Sequence, residues 1–168
     1  METILVSLIA IVMLVLSTLF MVTTTMNSTE NISSSLQNID TQATNIQMTA
    51  IDVSFESLDE DSIILSVRNN GQKNLVDFGQ WDILAQSQNS LPIRLAFSPA
   101  GEPEAGQWAI DGIYLPNGAI EVFDLGILNP QEYMTVLIKL GAPLQANEVI
   151  RITIATENGV TSQCLVIG

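Results

Sequence analysis

Few residues in this chain could do chemistry. Its 168 residues include no histidine and one cysteine, Cys164. Histidine is the commonest general base and metal ligand near neutral pH, so its absence removes most acid–base and metal-assisted mechanisms. No nucleophile is spaced to meet a base. There is no glycine-rich phosphate loop, no CxxC and no Ser-x-x-Lys, so the sequence predicts no enzyme, no cofactor and no resident metal. The run Asp59-Glu60-Asp61 could touch a divalent cation through its oxygens. It lacks the spaced ligands and glycine of an EF-hand loop, and reads first as a solvated turn. Cys164 stands in the apolar run Cys164-Leu165-Val166-Ile167 and reads as a small buried hydrophobe rather than a reactive thiol. A single cysteine excludes an intramolecular disulfide. Asn27-Ser28-Thr29 and Asn31-Ile32-Ser33 are acceptor sequons, which makes Asn27 and Asn31 candidate N-glycosylation sites.

The charge balance excludes another class of partner. Eighteen acidic residues stand against five basic ones, a net charge of −13. Such a surface repels phosphate backbones, so nucleic acid is not expected as a partner. Three of the acids, Glu2, Glu30 and Asp40, precede Ala50. The other fifteen share the rest of the chain with all five bases, which leaves that part at −10. Packed copies must keep these surfaces apart, screen them with salt or bridge them with cations.

With catalysis set aside, the informative element is the first one. Residues 3–22 carry no charge, no proline and no glycine. Twenty helical residues span about 30 Å, the thickness of a bilayer core. The four hydroxyl residues in the run can bond back to the preceding turn. A secretory signal peptide needs a basic start, a shorter apolar run and a small-residue cleavage site. A simple anchor needs flanking Lys or Arg on its cytoplasmic side. Here Glu2 follows Met1, and no base occurs before Arg68. We therefore expect a basic leader that preceded Met1 and was removed; the alternative is a weakly oriented anchor that starts at Met1. Glu2 could pair with a neighbouring copy's amine at the positive end of the helix dipole, or simply face water at the membrane surface.

The helical pattern continues past Val22. Ile32, Leu36, Ile39, Ala43 and Ile46 recur at spacings of four, three, four and three, a heptad seam for packing along another helix or along the chain's own domain. One helix is expected from Thr3 to about Met48, with loosening at Thr23–Thr25 as an option. At 1.5 Å per residue it would be roughly 70 Å long.

From about Ala50 the period shortens to two. Ile51, Val53 and Phe55 alternate with polar residues, as do Ile63, Leu65 and Val67. Further strands are expected over 75–85, 92–97, 107–115, 119–124, 133–140, 149–155 and 160–167. Turn signals separate them, including Asn69-Asn70-Gly71, Pro116-Asn117-Gly118, Asn129-Pro130 and Asn158-Gly159. Asn158-Gly159 suits a type I′ hairpin. Trp81 and Trp108 should pack in this domain, with a subunit contact as the alternative for either. The fold class is α+β: an assembly helix over residues 1–48 and an immunoglobulin-like β-sandwich over 49–168.

An apolar helix directly at the start of the chain resembles mature subunits of the type IV pilin superfamily. The whole layout resembles archaellins, the archaeal flagellins, and the related membrane-anchored accessory proteins of the archaellum. Three phrases carry the likeness. Ser66-Val67-Arg68-Asn69-Asn70-Gly71-Gln72-Lys73-Asn74-Leu75 is similar to the family's strand-turn-strand segment. Gly126-Ile127-Leu128-Asn129-Pro130-Gln131-Glu132-Tyr133 resembles its L-N-P-G-E turn, with Gln131 in place of the usual glycine. Ala155-Thr156-Glu157-Asn158-Gly159-Val160 resembles its T-x-N-G hairpin. The resemblance implies a self-assembling motility filament outside the cell, membrane-inserted before assembly and processed by a prepilin-type peptidase. Its partners would be many copies of itself, and its filament core would use Ile4, Leu5, Leu8, Ile9, Ile11, Val12, Leu14, Val15, Leu19 and Phe20. The alternative is an anchored accessory protein whose β domain binds a surface layer or the filament base.

Overall fold

The computed structural model describes residues 2–59, 61–88 and 90–168, with the side chains of residues 2–5, 27 and 31 not included. It divides into two units, Met1–Ala43 and Thr44–Gly168. One helix, α1 (Glu2–Met48), supplies all the described residues of the first unit and the start of the second. No loosening occurs at residues 23–25. The hydroxyls of Thr23 and Thr24 both donate to the Phe20 carbonyl, and Thr25 donates to that of Met21. These polar side chains are absorbed by the helix's own backbone, so the stretch stays helical despite its composition.

Eight strands build the second unit: β1 (Ile51–Asp59), β2 (Ser62–Asn69), β3 (Asp82–Ser87), β4 (Ile93–Phe97), β5 (Gln107–Tyr114), β6 (Tyr133–Lys139), β7 (Val149–Ala155) and β8 (Thr161–Ile167). Their order is β1-β2-β6-β5-β4-β3-β7-β8. The join between β5 and β4 is only a two-residue parallel ladder, Ala96–Phe97 against Gln107–Trp108. It separates two antiparallel layers, β1-β2-β6-β5 and β4-β3-β7-β8. In immunoglobulin lettering these are A-B-E-D and C′-C-F-G. β1 also lies against β8, so the sandwich approaches a barrel.

The core follows from alternation. Ile63, Leu65 and Val67 of β2 face Met134, Val136 and Ile138 of β6 across one layer. Ile83 and Ala85 of β3 share the other with Ile150, Ile152 and Ile154 of β7. Two bulges change which residues point inward. The register slips between Phe55 and Ser57, so β1 buries Val53 before the slip and packs Leu58 after it. The register also slips between Ile110 and Gly112, so β5 buries Trp108 before the slip and Ile113 after it. A bulge adds one residue and so reverses the period-two parity. Trp81 and Trp108 are both buried in this core, and the subunit-contact alternative falls away. Cys164 is half-buried against it, and that burial pushes its thiol pKa up.

Three sequence expectations need correction. The expected strand over 75–85 is broken. Leu75 makes a single bridge to Leu128, Asp77 turns left-handed at φ 52, and a 3-10 turn (Phe78–Gln80) precedes β3. That turn seats Phe78 edge-on to Trp81, ring centroids 5.3 Å apart. The expected strand over 119–124 is also absent; only Ile120 bridges, to Tyr114. Finally, Asn158-Gly159 is not a type I′ turn. Gly159 has φ 84, but Asn158 is not left-handed. Thr156 N–H donates to the Val160 carbonyl and Gly159 N–H to that of Thr156, giving a three-residue loop that ends on a left-handed glycine.

Candidate assembly surfaces

The first candidate surface is the apolar part of α1. Leu8, Ile9, Ile11, Val12, Leu14, Val15, Leu19 and Phe20 are all exposed, as are their apolar neighbours Val6, Met13, Leu16, Met21 and Val22. The side chains of Ile4 and Leu5 lie outside the described set. At 3.6 residues per turn these positions point in every direction, and a helix apolar all round must be buried by something else. By length and composition the helix could cross a membrane. Its hydroxyls do not oppose burial, because Ser17 donates to the Leu14 carbonyl at 3.0 Å and Thr18 to that of Val15 at 2.9 Å. Farther along, Ile32, Leu36, Ile39, Ala43 and Ile46 are exposed on one narrow stripe. Thr29, the hydroxyl residue of the first sequon, donates to the Thr25 carbonyl. The side chains of Asn27 and Asn31 are outside the described set.

The second feature lies inside the Thr44–Gly168 unit, where the last turn of α1 is seated. A helix end leaves carbonyls without intrahelical partners. Here the β-sandwich supplies donors. Gln72 and Lys73 N–H both donate to the Met48 carbonyl, at 2.8 and 3.3 Å. Asn158 Nδ2 donates to Thr49 Oγ1 at 2.7 Å and to the Asn45 carbonyl at 3.3 Å. Thr49 Oγ1 in turn donates to that same carbonyl at 2.8 Å. Gly71 passes so close that a Cβ there would lie 2.5 Å from the Met48 oxygen and 2.6 Å from the Ala50 nitrogen. Only glycine fits that approach.

The three phrases that carried the family resemblance meet at this seat. Asn69, 0 % exposed, donates Nδ2 to the carbonyls of Lys73 (2.8 Å) and Leu128 (2.9 Å), and its Oδ1 accepts from Gly71 N–H at 2.9 Å. The 129–132 turn docks on the same residue: Gln131 N–H donates to the Asn69 carbonyl, and Asn69 N–H to that of Glu132. The buried Glu132 carboxylate accepts from Asn129 N–H at 2.8 Å and from Asn129 Nδ2 at 3.2 Å. Glu157, in the third phrase, accepts from Trp81 Nε1 at 3.1 Å and lies 3.6 Å from Lys73 Nζ. Along the sequence these phrases are three separate turn signals. Their common purpose needs the long-range pairing of β2 with β6.

Gln131 sits at φ 72. A side chain there costs about 1–2 kcal/mol relative to right-handed backbone. Glycine removes that cost but adds roughly 0.5–1 kcal/mol of unfolded-state entropy. The bond lost, from Arg68 Nη2 to Gln131 Oε1 at 3.2 Å, is exposed. Gln131→Gly is therefore expected to stabilise the β unit by about 0.5–1 kcal/mol. Urea unfolding followed by circular dichroism checks this, and a lower midpoint would refute it.

The third feature is the β5–β6 connection. Glu121 folds its carboxylate over the chain ahead of it. One oxygen accepts from the N–H groups of Val122 (2.9 Å), Phe123 (2.7 Å) and Asp124 (3.4 Å). Those amides are then unavailable to a ladder, which is why no strand forms over 119–124. The amide of Phe123 is the main cause that holds the Glu121 carboxyl below its ordinary pKa. Burial acts the other way, and the amides of Asp124 and Val122 lower it further. A lowered folded-state pKa means that the ionised form stabilises the loop. The benefit is complete above the unfolded value, about 4.3 for Glu, and is lost as pH falls through the lower folded value. Amide exchange at Val122, Phe123 and Asp124 should therefore lose protection only on acidification below about pH 4. Glu121→Gln should weaken protection near neutrality and remove the acid step. An unchanged pH profile in that variant would sink the assignment.

The acidic run at 59–61 closes the β1–β2 hairpin, with Glu60 outside the described residues. Among the described residues, no three His, Cys, Asp or Glu side chains converge to hold a metal.

No family model matches the chain, and no curated protein sequence matches it. Solved structures do match. The archaellum periplasmic stator protein FlaG from Sulfolobus acidocaldarius superposes with TM-score 0.54 at 16 % identity, over 70 % of this chain and 99 % of that one. A chain of the FlaF–FlaG stator complex of the same organism gives TM-score 0.53 at 15 % identity, over 69 % and 87 %. The archaeal flagellum of Methanospirillum hungatei strain JF1 gives TM-score 0.63 at 11 % identity, over 96 % of this chain and 90 % of that one. At 96 % coverage the last likeness takes in α1 as well as the sandwich. The chain has the fold of archaellum components.

Proposed function

We propose that this chain is a structural subunit of an extracellular helical filament of the archaellum type, assembled through α1. The observation that carries the reading is the unbroken helix whose apolar first half, from Val6 to Val22, is exposed on every side. Fully burying each large apolar side chain is worth about 1.5–3 kcal/mol. A run this long cannot stay in water; it must sit in lipid or among copies of itself. The likeness to a flagellum chain over almost the whole length supports the second, with lipid as the station before assembly. On this reading the chain acts by packing and carries no catalytic activity. A prepilin-type peptidase would release it from a leader, and the β-sandwiches would form the outer sheath.

A second reading has its own support. The likeness to FlaG covers 99 % of that stator chain, so an anchored accessory protein would present the same sandwich. Electron microscopy of the purified full-length chain separates the two. Long filaments made of this chain alone are expected. A species that stays membrane-bound and never polymerises would overturn the filament reading in favour of the anchor.

A further inference from the structure

The sandwich carries two apolar features that its own core leaves open, and the strand directions place them at opposite ends. The first is the β5–β6 connection. Ile120, Val122, Phe123 and Leu125 are exposed within six residues, Phe123 at 90 %. The three amide bonds to Glu121 hold this loop in one shape, so little conformational freedom remains to be lost on contact. The second is a cavity of about 530 Å³ whose lining is mostly apolar, Ala85, Ile93, Leu95, Leu140, Pro143 and Leu144 among it, with Ser87, Ser90, Gln145 and Glu148 also on its wall. It lies where β3 and β6 finish and where β4 and β5 begin. β5 runs from Gln107 near the cavity to Tyr114 near the loop, about 23 Å at roughly 3.3 Å per residue.

We infer that Phe123 of one copy seats in the cavity of the next, joining β-sandwiches head to tail. The occupant follows from three properties. The knob is apolar and the cavity mostly so, and the cavity has ample room for a phenyl ring. Because they lie at opposite ends, one copy cannot satisfy itself. A contact between two different patches is heterologous and need not close, so it propagates as an open row. The area sets the context. Four side chains of this kind cover a few hundred Å², well under the roughly 800 Å² per partner of a stable interface. The contact would not hold free dimers; it operates where another interface already gathers the copies. That interface is α1, so the inference rests on the filament reading above. Helices that leave lipid gain little apolar free energy by meeting one another. A directional contact between the sandwiches supplies the register that an all-round apolar helix lacks.

The test uses the full chain with Cys164→Ser as background. Phe123→Cys and Ile93→Cys are combined in one chain, assembled and oxidised. A ladder of covalent oligomers is expected, with none from either single variant. Phe123→Asp should raise the critical concentration for assembly tenfold or more. Filaments of the double-cysteine chain that give no 123–93 ladder on oxidation, together with unchanged assembly of Phe123→Asp, would overturn this contact and leave the helix reading intact. Dimers from Phe123→Cys alone would also overturn it, in favour of a symmetric contact. Failure of the unsubstituted chain to polymerise would overturn the filament reading, and this contact with it.

Discussion

Leu14→Asp should abolish polymerisation while leaving the β-sandwich folded. Leu14 lies midway along the exposed apolar run of α1, far in sequence from any charge. Placing an aspartate at the centre of a membrane-spanning helix costs about 2.5–3.5 kcal/mol, and losing the leucine adds roughly half a kcal/mol. In a core of packed helices the carboxylate would meet no cation, since no base occurs before Arg68. A penalty of about 3–4 kcal/mol falls on any state that buries this stretch, and for the purified chain assembling from water it weakens each addition by more than a hundredfold. Pelleting and microscopy should then find no filaments at concentrations where the parent chain is fully assembled. Ser17→Ala is the matched control. Its hydroxyl already bonds the Leu14 carbonyl, so removing it leaves no unsatisfied group and should leave assembly unchanged. Normal filament yield from Leu14→Asp would mean that this stretch is not buried in the polymer.

How much of this was legible in the sequence depended on the range of the forces involved. The helix was readable because its causes are local: no Gly or Pro through residue 47 and an uninterrupted oily run. β2, β6 and β7 were readable because both faces of the sandwich impose period two on them. The failures share a different cause. The stretch around Ile120 and Val122 alternates like a strand, but Glu121 reaches over it and takes three amides that a ladder would need. Asp77 breaks the run before Trp81 because Leu75 is tied to Leu128, more than fifty residues away. Asn158 read as half of a tight turn, yet its side chain is committed to the seat of the helix. In each case hydrogen bonds, from a side chain at Glu121 and Asn158 and from the backbone at Leu75, go to a partner that periodicity does not reveal. The apolar cavity beside Leu140 was equally invisible, since it forms only where six separated segments meet.

The same reasoning makes Asn69 a sensitive position. Asn69→Ala should destabilise the β unit by about 3–4 kcal/mol, whereas Asn70→Ala, one residue on and exposed, should be near neutral. The asymmetry comes from what each amide does. Asn69 is fully buried and makes three bonds, two donated and one accepted. Each is worth roughly 1 kcal/mol net, and the void left in place of a fully buried side chain adds to the loss. Alanine strands the Leu128 carbonyl's side-chain bond at the β5–β6 connection and frees the turn that holds Gly71, Gln72 and Lys73 under the last turn of α1. For a unit of this size the loss corresponds to a fall in Tm of roughly 10–20 °C. Asn69→Asp separates the donors from the acceptor. It keeps an oxygen for Gly71 N–H but sets a carboxylate against two carbonyls, so it should not rescue stability. Thermal unfolding of the three variants orders them, and hydrogen exchange at the Gln72 and Lys73 amides reports whether the seat of the helix loosens first. Equal melting of Asn69→Ala and Asn70→Ala would show that the buried amide does not hold this seat.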